Sequence, residues 1–529
     1  MKKIQGELSS LVRSIVTKLF FNQELHDFSK SGVNIECQDG MRATIFADIH
    51  LILADEAALH AIYCCKGSSG LKPCLLCTNV FDAKKPRGIV SRDPTGRSVD
   101  HTCASAKQFR GVTQSVVAAI VRRLTHVAAT SSNTALKETQ TDIGWNFAPG
   151  GIMFDAATRA RCCPAKCACF DWAHVFFVNG VFNATAGLCL HAFRRLNLDL
   201  GIVAQYVKSF NWPHAVAGSI APSDVFTPSR LKHSLEKQIL RCTASEGLSL
   251  LPVLAAFCEP LSTGHRNPEI RAHAECFLLL ARVVSMVLRS IRGLTDVNAF
   301  LDRAQRFLER FKELYGSTNV VPKHHYVFHL VFYLHRMPFL PSCLVHERKH
   351  KGIKRFANAV FNTHIDWDKS VLQEFSCLHI ERLISTPAVQ FSAAAGLVHC
   401  SAPSRRLLSV IQAAVGPFPK EQLRVGRTAR VNEFEKVSVG DVVLIGVGSP
   451  PIIGEIVMHV AVSDSGATEL VSIIKRFKIQ SEGDRFWKCV DPGETAIVST
   501  GDIDTAAIWA GVGVITVLKP IHATRSLAI

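Results

Sequence analysis

Cysteine, histidine and aspartate crowd into two stretches of this 529-residue chain, and both stretches could bind metal. In the first, Asp55 closes an apolar run and is followed by Cys64, Cys65, Cys74 and Cys77. In the second, Cys162, Cys163, Cys167 and Cys169 stand just ahead of Asp171-Trp-Ala-His174. Thiolates suit soft metals, and an Asp and a His three residues apart can share one helix face or turn. Cys74-x-x-Cys77 has the spacing of half a zinc site, because two thiolates on a tight turn reach one tetrahedral ion. For the other half, Cys64, Cys65, His101, Cys103, Cys162, Cys163, Cys167 and Cys169 all compete. Cys163 and Cys167 are the expected partners of Cys74 and Cys77 in a structural Zn²⁺ site. Cys162/Cys163 with Cys167/Cys169 as a separate site, and inert buried thiols, are the competing readings.

Asp55 and Asp171 are the carboxylates best placed for chemistry. Phosphodiester cleavage by hard cations, Mg²⁺ or Mn²⁺, needs two or three carboxylates converging from strand ends and a helix. The same residues also read as ordinary helix caps. A third block, Pro322 to Arg355, is dense in histidine and cations: Lys323, His324, His325, His329, His335, then His346-Glu347-Arg348-Lys349-His350-Lys351 and Lys354-Arg355. Glu347 there reads either as a solvated ion-pair partner or as a metal ligand, with Lys323, Arg348, Lys349, Lys351, Lys354 and Arg355 holding phosphates. Neutral histidines would compete as ligands.

The formal charge of +16 and pI near 9.2 favour a polyanionic partner, of which nucleic acid is the commonest. With 48% hydrophobic and 20% charged residues the chain is globular in composition. Met1 to Phe21 is amphipathic, without the apolar core of a secretory signal, and Cys276 to Ile291 carries Arg282 and Arg289. A membrane partner is therefore not expected, and the 18 cysteines read as reduced thiols, some of them metal ligands. P-loop, Rossmann, HExxH and GxSxG signatures are lacking.

The elements that must position these residues follow from pattern. Met1 to about Phe28 reads as a helix, and Val33 to Ala54 as buried strands ending at Asp55, with a turn at Asp39-Gly40. Gln108 to Ala128 is helical. From Val175 to Leu344 the chain looks mainly helical, most clearly over Val297 to Tyr315, where Asp296 can cap the start and Gly316 follows the end. Residues 386–425 read as a linker. Residues 426–522 form short β-rich runs between Gly, Pro, Ser and Asp, the pattern of a small all-β barrel. The fold class is α/β plus α, in five parts: 1–175, 176–344, 345–385, 386–425 and 426–522.

Four blocks resemble the transposases of cut-and-paste DNA elements, in particular the CACTA/EnSpm group and its Plavaka-like relatives. They are ADEAALHAIYCCKGSSGLKPCLLC, FDWAHVFFVNGVFN, TASEGLSLLPVL, and VPKHHYVFHL with the following CLVHERKHKGIKRFANAVFNT. Their order, from about Ser31 to Asn362, carries the likeness. The resemblance implies an RNase H-like mixed sheet over 1–175 with a cysteine-rich zinc region, a large helical insertion over 176–344, and a returning helix over 345–385. Asp55 would match the second Asp of the catalytic triad, Glu347 its terminal Glu, and Asp171 and His174 a supporting D-x-x-H motif. The implied reaction is Mg²⁺- or Mn²⁺-dependent DNA strand cleavage and transfer at transposon ends, by a homo-oligomer in the nucleus. About fifty residues precede Asp55, and Asp39-Gly40 and Asp48 lie too close to it to be the first catalytic Asp. An N-terminally truncated copy is therefore expected. The alternative is a non-catalytic zinc- and nucleic-acid-binding protein.

Overall fold

Short polar side chains decide where most helices of this protein begin. The computed structural model describes residues 7–21, 27–36, 41–84, 98–214, 222–290, 293, 295–343, 370–371, 373–374, 376–378, 396–431, 436–446, 450–464 and 467–520. The protein is mixed α/β and divides into two units. One holds Met1–Leu188, Gln238–Leu240 and Arg282–Leu344; the other holds Cys189–Lys237, Arg241–Ala281 and Val345–Ile529. The stretch expected as one helical insertion is thus shared between the two.

The first unit opens with α1 (Glu7–Phe20) and an antiparallel hairpin of β1 (Val33–Glu36) and β2 (Arg42–Ile45). Every residue of β2 is exposed, against the buried strands expected, because the hairpin gains no third strand among the described residues. The turn at Asp39-Gly40 lies outside the described residues. The chain continues through β3 (Ile52–Ala54) into α2 (Glu56–Ile62), then β4 (Val80–Phe81) and β5 (Val99–Asp100). Next come α3 (Gln114–Thr130) and α4 (Asn133–Ile143), each started by a hydroxyl cap, from Thr113 and Ser132. Three short helices, α5 (Ala156–Arg161), α6 (Pro164–Cys167) and α7 (Trp172–Phe177), surround β6 (Ala168–Phe170). Strand β6 runs parallel to β3, with Ala54 opposite Phe170. The described strands here form separate two-stranded sheets.

Two later helices complete this unit. Val297–Tyr315 follows its sequence pattern: Asp296 accepts from Asn298 and Ala299 N–H, Gly316 takes φ +77°, and Phe300, Ala304, Phe307, Leu308 and Phe311 are buried. Pro322–Leu334 is apolar nearly all round, so it is buried along most of its length.

The second unit packs helices, among them Ala244–Gly264, with a C-terminal antiparallel sheet. Its frame is a long hairpin of β13 (Ile452–Asp464) and β14 (Ala467–Glu482). A register shift between Ile456 and Met458 bends it, so the free edge of β13 meets β12 (Val442–Ile445) at one end and β9 (Leu423–Gly426) at the other. The outer edge of β14 likewise serves β16 (Thr495–Ser499) and then β15 (Phe486–Val490). Three apolar clusters line the hairpin, around Trp487, Ile456 and Ile411. The described strands run in an open path from β17 (Ile503–Ala506) to β7 (Phe210–Asn211), by way of β19 (Val514–Leu518) and β18 (Trp509–Ala510). That path does not close into the barrel expected. Residues 396–425 are not a linker: they form β8 (Gly396–Leu397), an Arg405–Val415 helix and β9. Ile411, with Leu408 and Val415 beside it, gives that helix an apolar face that packs on Val460 and Ile473.

Candidate metal centre

Cys74, Cys77, His325 and His329 converge. One ligand atom from each lies within 4.8 Å of all the others, and all four residues are buried. Cys74 Sγ is 3.2 Å from His329 Nε2, and Cys77 Sγ is 3.5 Å from His325 Nε2 and 3.4 Å from His329 Nε2. The two Nε2 atoms are 3.1 Å apart. For Zn–S of about 2.3 Å and Zn–N of about 2.0–2.1 Å at tetrahedral angles, S···N edges come to about 3.5 Å and N···N edges to about 3.3 Å. These four edges therefore match a tetrahedral S₂N₂ shell to within a few tenths of an ångström. It can hold a metal ion such as zinc.

Each half has a local cause. Cys74-Leu-Leu-Cys77 turns back on itself, and the Leu76 N–H points at Cys74 Sγ (3.4 Å). A bridge to Gly111 fixes Cys77. On the Pro322–Leu334 helix, Pro322 sits in the first turn, where its missing N–H costs nothing, and His325 and His329 are one turn apart on one face. Tyr326 ties the halves together: its hydroxyl lies 2.9 Å from the Pro73 carbonyl and 3.0 Å from Glu56 Oε1. Phe109 packs edge-on against His325, with ring centroids 4.5 Å apart.

The electrostatics fit a soft cation. Burial opposes ionisation of Cys74, but the hydrogen bond from Cys77 and the His329 and His325 imidazoles hold its thiol well below the ordinary value. Cys77, facing that thiolate, is pushed up. Burial also depresses His325, which keeps its imidazole neutral and able to ligate. One thiolate is what such a shell sustains alone; a dication lets both sulfurs ionise. With four protein ligands and no oxygen donor, the shell is of the closed, structural kind and unsuited to Mg²⁺ or Mn²⁺.

Cys163 and Cys167 do not join it, contrary to expectation. Cys167 Sγ meets the Arg161 carbonyl at 3.2 Å, and burial pushes its thiol up to about 11. Burial also raises Cys163. His325 and His329 take their place. The signal that could have found them is the His-x-x-x-His spacing after a helix-starting Pro.

Asp55 and Asp171 stand at the carboxyl ends of neighbouring parallel strands, β3 and β6, and the Asp171 N–H extends the ladder to the Ala54 carbonyl (3.1 Å). Asp55 caps α2, accepting from the Ala58 N–H at 2.6 Å. Asp171 caps α7 and is buried; its Oδ1 accepts from Ala173 N–H (3.4 Å) and Cys343 N–H (3.1 Å), and its Oδ2 from His174 N–H (3.2 Å) and His174 Nδ1. Burial would raise this carboxyl, yet the hydrogen bonds from His174, Cys343 and Ser342 outweigh it and hold the pKa below the ordinary value. Lys323, expected to hold phosphate, donates instead to the carbonyls of Val178 (2.6 Å) and His174 (3.2 Å). Glu347, Arg348, Lys349, Lys351, Lys354 and Arg355 lie outside the described residues.

Comparison of the chain with protein families, with curated proteins and with solved structures finds no match.

Proposed function

We propose that this chain is a DNA-binding protein on a transposase scaffold of the CACTA/EnSpm kind, with an RNase H-like first unit and a structural zinc ion at Cys74, Cys77, His325 and His329. The observation that carries this reading is the β3–β6 pair, which sets Asp55 and Asp171 side by side at strand ends. Ligands of α/β sheets bind outside such ends, and phosphoryl-transfer sites collect carboxylates there. The net charge of +16 supports a nucleic-acid partner; nuclear DNA and a homo-oligomer as the assembled form are what the transposase resemblance implies.

The ancestral reaction on this reading is Mg²⁺- or Mn²⁺-dependent strand cleavage and transfer, with Asp55 and Glu347 as metal ligands. The present function is binding. Both oxygens of Asp171 already accept hydrogen bonds, so neither is free to take a cation without breaking them. The test is a duplex-DNA assay with Mg²⁺ or Mn²⁺. Binding that survives Asp55→Ala and Glu347→Ala, without cleavage, is the expected result. Cleavage that vanishes in Asp55→Ala would show a working transposase instead, and no salt-dependent retention on DNA would overturn both.

A further inference from the structure

Between Arg405 and Lys436 the second unit collects cations in a way that its own stability does not explain. Arg405, Arg406, Arg424, Arg427, Arg430 and Lys436 are all exposed, and among the described residues none of them forms an ion pair. The sequence of that stretch holds only three acids, Glu421, Glu433 and Glu435, of which the last two lie outside the described residues.

Two placements carry a cost. In the antiparallel ladder of β10 (Thr428–Arg430) and β11 (Lys436–Ser438), Arg430 stands directly opposite Lys436. Opposed residues share one face with Cβ atoms about 5 Å apart, and like charges there are destabilising. Arg405 and Arg406 occupy the first turn of the Arg405–Val415 helix, which has no acid in that turn. The positive end of the helix dipole disfavours cations at that place. The two places are connected through β8 and β9. Ser401 bridges Val425 through a pair of backbone hydrogen bonds of 2.8 and 3.0 Å, bringing the start of the helix beside β9 and Arg424. Arg424 is oriented by the carbonyls of Glu421 (3.0 Å) and Leu423 (2.9 Å). On the other flank of Arg430 the paired residue is Gly396, where an added Cβ would meet nothing within 4 Å.

We propose that this surface, formed by β8, β10, β11, the edge of β9 and the start of the helix, binds the phosphodiester backbone of duplex DNA. The inference rests on the DNA-binding reading and assigns it a contact surface. An anion laid along the strip would turn both repulsions into attractions. Five of the six cations are arginines, whose forked guanidinium pairs with phosphate oxygens two at a time. Contacts from such cations to phosphate oxygens position a protein on the duplex without reading its sequence.

The test uses the full-length protein and random-sequence duplex DNA titrated between about 50 and 200 mM salt. Arg430→Gln with Lys436→Gln removes two contacts and relieves their repulsion, so it folds at least as well as the parent. The slope of log K against log salt should shrink by about 1.8, or about 0.9 for each phosphate contact. Lys478→Gln with Lys488→Gln, the same loss of two charges at exposed positions on β14 and β15, should leave it unchanged. Binding by the parent with an unaltered slope in the double variant would overturn the strip alone. A parent that never binds DNA would overturn the reading beneath it. A slope change seen with single-stranded RNA but not with duplex DNA would overturn the choice of partner.

Discussion

Breaking the metal shell should unfold the first unit, and the size of the effect follows from chain connectivity. The shell joins Cys77 to His325 across 248 residues of sequence. Treated as a cross-link, closing a loop of that length removes about 18 cal/mol/K from the unfolded chain, or about 5.5 kcal/mol at 25 °C. A domain is typically stable by about 5–15 kcal/mol in total, so loss of the metal removes a large share of it. The buried ligands add to the loss, since His325 Nδ1 already lacks a partner and the freed thiols and imidazoles would stay away from water. The perturbation is Cys77→Ser with His329→Ala, compared with Cys163→Ala with Cys167→Ala. Elemental analysis should find one zinc per chain in the parent and in the second pair, and none in the first. X-ray absorption of the parent should show two sulfurs at about 2.3 Å and two nitrogens at about 2.0–2.1 Å. Hydrogen exchange should then show Pro322–Leu334 losing protection in the first pair, and in the parent under chelator. Zinc retained by Cys77→Ser/His329→Ala, or lost from Cys163→Ala/Cys167→Ala, would refute the assignment of ligands. Zinc lost with no change in exchange would refute the stability argument.

Two further outcomes belong to the second unit. His459 is fully buried with Nδ1 2.8 Å from Ser472 Oγ, and desolvation lowers its pKa from 6.5 to about 4. The unfolded chain therefore binds the extra proton between those pH values, so stability is complete above about pH 6.5 and falls by about 3 kcal/mol as pH drops to 4. Urea midpoints measured across that range should show the slope, and His459→Gln should flatten it. Glu246 accepts both Arg230 nitrogens at 3.0 Å and closes a capping box with Thr243 at the start of Ala244–Gly264. Glu246→Ala should cost about 2–3 kcal/mol in urea unfolding, more than Arg230→Ala, because it removes the carboxylate half of the capping box as well as the charge pair.

What the sequence made legible was local. Asp296, Asp55 and Asp171 can be read as helix starts from side-chain chemistry and period alone, and Cys74-x-x-Cys77 is a turn that announces its ligands. The second half of the shell was hidden by distance. Nothing in a linear pattern tells a CxxC pair which of many later histidines will return to it, and here the nearer cysteines were the stronger lure. His325 and His329 also sit among cations, so the block reads as a surface for phosphate before it reads as core. The same confusion touches Lys323, whose ammonium caps the carbonyl end of α7 instead of facing a ligand. In the second unit, β-rich runs could be counted but their pairing could not. The bend at Ile456/Met458 lets each long strand serve two partners along one edge, and a single unpaired residue in a ladder leaves no compositional trace.

The Pro322–Leu334 helix gives the metal centre a second consequence. Its ligands His325 and His329 share the helix with Tyr326, whose ring stacks on Phe170 of β6 at 4.2 Å and whose hydroxyl meets Glu56 beside Asp55. Tyr333 accepts from the Phe170 N–H at 3.3 Å, and Lys323 holds the last carbonyls of the helix that Asp171 starts. One rigid element therefore fixes the soft-metal shell and the ends of both carboxylate-bearing strands. Neither Asp55 nor Asp171 belongs to the shell, yet releasing the ion should loosen both. A chelator that abolishes any activity at those carboxylates would consequently say nothing about which metal performs chemistry. Restoring zinc alone, in the absence of Mg²⁺, separates the cases: it should recover the exchange protection of Pro322–Leu334 and the Asp171–His174 hydrogen bond, while any recovery of strand cleavage would still await a hard cation.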